Sequence, residues 1–341
     1  MRIALLSMAF LANVGTLLSE NRGSYTFQLD NDLFANTDKD YTNGARLSYI
    51  TDDRKRSDFT DMEAWLAGVQ RRAPDVITGF YSPEEPVYNY GVSLTQLMFT
   101  PNDFNAFEPP PGEHPYVGWL ALGFSLHAKD SNAINSVELS LGLTGKNAFA
   151  ETTQDFVHSV RDIPKFNGWD SQVPSELTLN LFFTQKRRLF RDAPSDTLFS
   201  IDGFSQWGLA LGNYKTAFDF GFIARAGINL PTDVSDPRLG PTSYSHNIFD
   251  REKDRVRDCS VYGVVGAKAT ASSHEISLDG PVFRGFDMGI DKRPFTGETY
   301  LGGAIRWRNW EISYVHTFRS REFDEQLNGP QFGSLSLRHQ F

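Results

Sequence analysis

Two short stretches carry side chains whose types and spacing suit chemistry. The first is the segment Asp30 to Asn43, which holds Asp30, Asn31, Asp32, Asn36, Asp38, Asp40 and Asn43. A turn uses a few such residues to bond its own backbone; this one has more oxygens than the turn requires. Carboxylate and amide oxygens are the ligands of hard cations such as calcium. The spacing is not that of an EF-hand: started at Asp38, that pattern puts Asn43 where its invariant glycine belongs, one residue before Gly44. A solvated polar loop is the competing reading, and the turn alone does not decide between them. The second stretch is Gln154-x-x-x-His158. Residues 149–162 read as a helix, with Phe149, Phe156, Val157 and Val160 sharing one side. Four residues apart, Gln154 and His158 lie one turn apart on the same side, and Pro164 ends the helix. A lone histidine is more often a surface or packing residue than a catalyst. Facing an acidic hairpin, it can take a proton from water near neutral pH, while a nearby cation holds the carbonyl oxygen of an ester as charge develops there.

Other catalytic signatures are missing. There is no Gly-x-Ser-x-Gly elbow, no His-Glu-x-x-His and no glycine-rich phosphate loop. The single cysteine, Cys259, sits beside a strand in a charged region, which is a poor setting for a nucleophile, and it cannot form an internal disulfide.

The elements around these stretches are strands. Tyr25, Phe27 and Leu29 alternate with Thr26 and Gln28, and Leu47 and Tyr49 with Arg46 and Ser48, so the acidic turn is the mouth of a hairpin. Strand three is read at Tyr90 to Phe99 and strand four at Tyr116 to Ala128. In strand five Val137, Leu139, Leu141 and Leu143 alternate with Ser136, Glu138, Ser140 and Gly142. Strand six sets Leu177, Leu179, Leu181 and Phe183 against Thr178, Asn180 and Thr184. Strand seven is Phe199 to Leu211 and strand eight Lys215 to Leu230, the latter with Asp219 and Arg225 on its non-apolar face, which suits a polar barrel interior. Strands nine to twelve are read at Val261 to Ser272, Tyr300 to Trp307, from Trp310 on, and Phe332 to Phe341. The connections are polar or proline-rich. They include Asp52 to Asn89, with a helical turn or two at Asp61 to Gln70; Thr100 to Pro115; and the charged segment Pro231 to Asp258. The 341-residue chain has a net charge of −9, 13% aromatic residues and 28 glycines. Its mean hydropathy is −0.37, and after the N-terminus no apolar run approaches the ~20 residues of a spanning helix. The acidic balance, with no basic stripe, argues against a nucleic-acid partner.

About twelve amphipathic strands, without a second apolar face to pack a sandwich, point to one all-β antiparallel transmembrane β-barrel. Its apolar faces turn to lipid, and closure leaves no edge. A short helix lies in the loop Gly145 to Ser175, on the same side as the acidic turn. If the N-terminus is periplasmic, that side is extracellular. Met1 to about Ser19 reads as an export signal: Arg2 is followed by the apolar run Ile3 to Ala12, within the usual ~7–15 residues. Residues 20–341 then form the barrel domain. The last strand ends on an aromatic residue, Phe341, which resembles the C-terminal signal of bacterial outer-membrane barrels.

The order and spacing of several motifs resemble one family over nearly the whole mature chain. Asn31-Asp32 and Asp40-Tyr41-Thr42-Asn43-Gly44 are followed by Gln96 with Thr100-Pro101, and by Pro115-Tyr116-x-Gly118-Trp119. Then come Thr144-Gly145, Gln154-x-x-x-His158, Gly168-Trp169 with Gln172, and Ala210-Leu211-Gly212-Asn213. Leu278-Asp279-Gly280, Arg321-Glu322-Phe323 and Phe332-Gly333-Ser334-Leu335-Ser336-Leu337 complete the series. Together they resemble the lipid A 3'-O-deacylases of Gram-negative outer membranes. That resemblance implies a twelve-stranded barrel with a calcium-dependent esterase site at its outer rim, acting on the lipid A of lipopolysaccharide among outer-membrane lipids. By motif position it implies His158 as the base, a site formed with Asn31, Asp32, Thr42 and Gln154, and calcium held by Asp32 and Asn31. The family's pattern has an acidic residue six positions after the histidine. Here that position is Pro164; either Glu176, at the start of strand six, takes the role, or the role is absent. A non-catalytic barrel, a channel or a scaffold, is the alternative. It would have a wide charged lumen, where an esterase would have a filled one.

Overall fold

The computed structural model describes residues 23–32, 40–55, 57, 68, 85–162, 164–193, 198–234, 236–242 and 259–341. The export signal read at Met1 to Ser19, Asn36 and Asp38 of the acidic turn, and nearly all of the helical turns read at Asp61 to Gln70 lie outside these residues.

Twelve strands form one closed antiparallel barrel in which each strand pairs with its neighbours in sequence. They are β1 (Gly23–Asn31), β2 (Asp40–Thr51), β3 (Val87–Thr100), β4 (Val117–Lys129), β5 (Ala133–Thr144) and β6 (Leu177–Asp192). The circuit continues with β7 (Phe199–Gly212), β8 (Lys215–Ile228), β9 (Cys259–Glu275), β10 (Phe295–Trp307), β11 (Trp310–Arg319) and β12 (Gln331–Gln340). Pairing of β1 with β12, Phe27 opposite Leu337, closes it. The fold class read from the sequence is the one observed. Several strands run further than their alternation suggests. β6 continues past Thr184 with Lys186 and Arg188 on its inner face, while Gln185, on the outer face, donates to Asn135 Oδ1 (2.8 Å) and accepts from Trp207 Nε1 (3.1 Å), so its polar atoms are satisfied within the wall. β8 stops two residues short of Leu230, because Asn229 turns into the left-handed region (φ 51°).

The period-two pattern sorts the wall. Leu141 is 49% exposed and faces outward, while Ser140 is buried inside. Phe218, Phe220 and Phe222 likewise look out, and Arg225 looks in. A lipid-facing band and a polar lumen follow from that alternation.

The lumen is partly occupied, beside a cavity lined by Thr95, Gln206, Thr242 and Lys268 among others. The segment after β8, read from sequence as a connection, has its described part, residues 229–234 and 236–242, packed inside the barrel. Gln28 Nε2 donates to the carbonyls of Pro237 (3.2 Å) and Arg238 (2.8 Å). Arg225 pairs with Asp202 and Asp233, and Arg238 with Asp236 and Glu298. The Thr242 amide donates to Glu138 Oε2 at 2.9 Å, and Arg46 pairs with the same carboxylate. Buried charges are tolerable only when paired and hydrogen-bonded, and this network meets that demand.

Candidate active site

All the loops that follow odd-numbered strands lie at one rim, opposite the end that carries Gly23 and Phe341. The β1–β2 hairpin and the β5–β6 loop, which bears helix α1 (Ala150–Arg161), are both there. Helix α1 begins and ends on left-handed residues, Phe149 (φ 57°) and Asp162 (φ 56°), one residue inside the span read from sequence at each end. Its face bearing Ala150, Gln154 and His158 is buried against the barrel, while Phe149, Phe156 and Val160 point outward. Three of the four apolar residues that share a side thus face away from the wall.

Small residues let the helix come close. A Cβ on Gly118 of β4 would sit 2.7 Å from the Ala150 Cβ and 3.2 Å from that of Ala148. Gln96 Nε2 on β3 donates to the Ala148 carbonyl at 2.6 Å. Met98, Tyr116, Ala150, Phe166 and Trp169 form one buried cluster beneath the helix. Tyr116, in the loop before β4, has its hydroxyl pushed up to about 12 by burial, so it stays protonated. The cluster also reaches the hairpin. Asn31 stands opposite Asn43, and Asn43 opposite Met98, so hairpin and helix lie over the same strands.

His158 is buried, with Nδ1 2.7 Å from the Pro164 carbonyl oxygen. A carbonyl only accepts, so the Nδ1–H donates and the neutral ring keeps its lone pair on Nε2. The residue in the place of the family's acid therefore supplies an acceptor through its backbone. Gln154 Oε1 accepts from Trp169 Nε1 at 2.7 Å, and the Trp169 carbonyl accepts from Gln172 Nε2 at 2.7 Å. Thr42 is the extra residue of a bulge between β2 and β3, and its hydroxyl lies 2.6 Å from that of Thr100. Asp32 is buried at the end of the first strand. Asp30, by contrast, accepts from the Tyr41 hydroxyl at 3.0 Å.

Glu176 is engaged elsewhere. Its Oε1 accepts from Asn213 Nδ2 (3.0 Å) and the Val282 amide (3.2 Å), and its Oε2 from the Phe283 amide (2.8 Å). It clamps the β9–β10 loop to the β7–β8 turn. His114 is a second carbonyl-anchored histidine, with Nδ1 2.8 Å from the Pro115 oxygen and its ring stacked on Phe99. Burial, the largest influence, holds its pKa below the ordinary value. Sequence gave no signal for the roles of Trp169 and the Pro164 carbonyl. An indole donor and a backbone oxygen acquire partners only through the fold.

Among the described residues no three His, Cys, Asp or Glu side chains cluster as a metal centre of that kind. The oxygens at the hairpin are a carboxylate, Asp32, with the amide and hydroxyl oxygens of Asn31 and Thr42. Such a set fits a hard, oxygen-seeking cation and not a thiolate- or imidazole-bound metal.

A closed twelve-stranded barrel with lipid-facing leucines, a charge-paired segment in its lumen and a buried histidine at one rim defines an outer-membrane β-barrel with a candidate hydrolytic site. The family model described as outer membrane protein LpxR matches residues 1–341, and the chain belongs to that family. LpxR from Salmonella typhimurium is similar in structure, with a TM-score of 0.72 at 13% identity, covering 93% of this chain and 100% of that one. The beta domain of the Bordetella autotransporter BrkA covers 94% of this chain and 99% of its own at 11% identity, with a TM-score of only 0.42. No curated protein sequence matches the chain.

Proposed function

We propose that this protein is a calcium-dependent esterase of the outer membrane that removes the 3'-linked acyl or acyloxyacyl chain from lipid A, acting at the outer leaflet. Family membership supports the substrate class. The observation that carries the chemistry is the 2.7 Å contact between His158 Nδ1 and the Pro164 carbonyl, which fixes the tautomer a general base needs.

In this reading a water beside His158 attacks the ester carbonyl carbon while Nε2 takes its proton. The tetrahedral centre then collapses: the bond to the sugar oxygen breaks, and the imidazolium returns the proton to that oxygen. Fatty acid and alcohol are the products. The Pro164 carbonyl holds the ring throughout, as a neutral acceptor in place of a carboxylate. Thr42, fixed by Thr100, and Asn31 line the hairpin side. Asp32 and Asn31 would hold the calcium ion, which when bound supplies positive charge to the ester oxygen as it becomes an oxyanion. The exposed Phe156 and Val160 keep the helix, and with it His158, at the level of the leaflet that contains the substrate.

The alternative is a non-catalytic barrel, a channel or a scaffold; against a wide channel, residues 229–234 and 236–242 occupy part of the lumen through paired charges. The test is mass spectrometry of lipid A from cells expressing the chain, with and without calcium. Loss of one acyl chain that depends on calcium and is abolished in Asp32→Ala is expected. A parent that removes none at any calcium concentration makes the non-catalytic reading the leading one.

A further inference from the structure

An amide side chain presents an acceptor on one side and a donor on the other, and only its partners show which is which. At Gln154 one partner decides. The Trp169 indole N–H is a donor and nothing else, and it points to Gln154 Oε1 at 2.7 Å. The oxygen is therefore turned to the indole and the NH2 group away from it. Among the described residues that Nε2 has no hydrogen-bond partner, although Gln154 is only 3% exposed. Leaving a buried donor unmade is costly, and when it occurs one helical turn from a candidate base it asks for a ligand.

Trp169 is held firmly enough to impose the choice. It is buried, its ring centroid is 5.1 Å from that of Tyr116, and Gln172 Nε2 donates to its carbonyl. Gly168 permits this seat, because a Cβ there would meet the Tyr116 ring at 2.4 Å.

We propose that Gln154 is a hydrogen-bond donor to the acyl carbonyl oxygen of the bound ester, a member of the oxyanion hole, not an oxygen ligand of a cation. Trp169 is the positioning residue that sets it so. The proposal rests on the esterase reading above. As water adds to the carbonyl carbon, the C=O π pair moves onto the oxygen and the Nε2–H hydrogen bond strengthens. When the bond to the sugar oxygen breaks, that pair re-forms the carbonyl, and Gln154 neither gains nor loses a proton. The oxygen atom that a metal would need is already spent on the indole.

The test uses the full barrel in detergent or in outer-membrane vesicles. Gln154→Glu keeps the length and the acceptor for Trp169 but removes the donor; Gln154→Met removes both and serves if the first does not assemble. For either, kcat should fall roughly 10²–10³-fold, the loss typical of one oxyanion donor, with KM within about threefold. A tetrahedral phosphonate analogue of the ester should bind more weakly by a comparable factor, while an uncleavable ether analogue binds as to the parent. Trp169→Phe frees the amide to turn over and should lose roughly three- to tenfold in kcat, with no change in KM. Parental kcat and phosphonate affinity in Gln154→Glu overturn the proposal while leaving the esterase reading intact. So does a shift of tenfold or more in the calcium needed for half-maximal activity with phosphonate affinity unchanged, the signature of a metal ligand. A parent that hydrolyses no lipid A brings down both.

Discussion

Glu176→Gln separates two roles for one buried carboxylate. In the sequence either Glu176 takes the role of the missing acid beside His158 or that role is absent. The structure instead gives its two oxygens three donors, Asn213 Nδ2, Val282 N and Phe283 N, and gives His158 Nδ1 to the Pro164 carbonyl. A glutamine keeps one acceptor oxygen. Turned to satisfy Asn213 and Val282, its NH2 group faces the Phe283 N–H at the 2.8 Å now occupied by a hydrogen bond. One charge-assisted bond of about 1.5–3 kcal/mol is lost, and two others fall toward the ~1 kcal/mol of neutral bonds. Partial exposure at Val282 and Phe283 reduces the total to about 2–4 kcal/mol, borne by the β9–β10 loop. Amide exchange at Val282 and Phe283 should then accelerate roughly 30- to 900-fold, at about 1.4 kcal/mol per decade. The rate of fatty-acid release should stay within about threefold of the parent, because the orienting bond to His158 is untouched. Hydrogen exchange followed by mass spectrometry, beside lipid A hydrolysis, reads both quantities. A hundredfold fall in kcat with unchanged loop exchange would refute the reasoning and return Glu176 to the catalytic set.

His158→Gln should assemble normally and lose about 10²–10⁴-fold in kcat; a correctly inserted variant with the parental rate would end the general-base role. Leu141→Arg places a charge on the lipid face and should cost about 2–4 kcal/mol at mid-membrane, whereas Leu141→Phe is near neutral; equal heat-modifiable gel mobility of the two would contradict the facing of β5. Asp236 in the lumen segment gives a pH prediction. Burial, the largest influence, raises its carboxyl, but the Arg238 and Lys186 charges and the Arg238 hydrogen bonds together outweigh it and leave the group at about 2, below its ordinary 3.8. A depressed folded pKa stabilises above the unfolded value, so about 2 kcal/mol is fully present above pH ~4 and fades as pH falls toward ~2. Thermal unfolding should show this decline in the parent and a weaker one in Asp236→Asn; identical acid profiles would contradict it.

The barrel was legible because its rule is local. Alternation such as Leu139, Leu141 and Leu143 against Glu138, Ser140 and Gly142 needs no knowledge of the partner strand, and closure follows from the absence of any second apolar surface. The helix at Gln154 and His158 was legible for the same reason, since a period of 3.6 fixes who shares a face. The lumen segment was not, because residues 229–234 and 236–242 look like any charged connection until Arg225, Glu298 and Glu138 surround them. Nor was the grip on His158. A motif comparison registers side chains, so Pro164 appears there as the loss of an acid. In the structure its carbonyl stands 2.7 Å from Nδ1, where any acceptor serves to fix the ring. What a carbonyl cannot do is bring a negative charge to the imidazolium that forms during attack. On this reading the burden of stabilising charge in the transition state shifts to the oxyanion side, to the cation at Asp32 and Asn31 and to the donor that Trp169 holds ready on Gln154. A chain with proline at this position should therefore tolerate losses on that side less well than one with an acid. Pro164→Glu, which puts a carboxylate at the position where the family pattern has an acid, should lessen the kcat penalty of Gln154→Met when the two are combined. Strict additivity of the two changes in log kcat would show that the sides act independently.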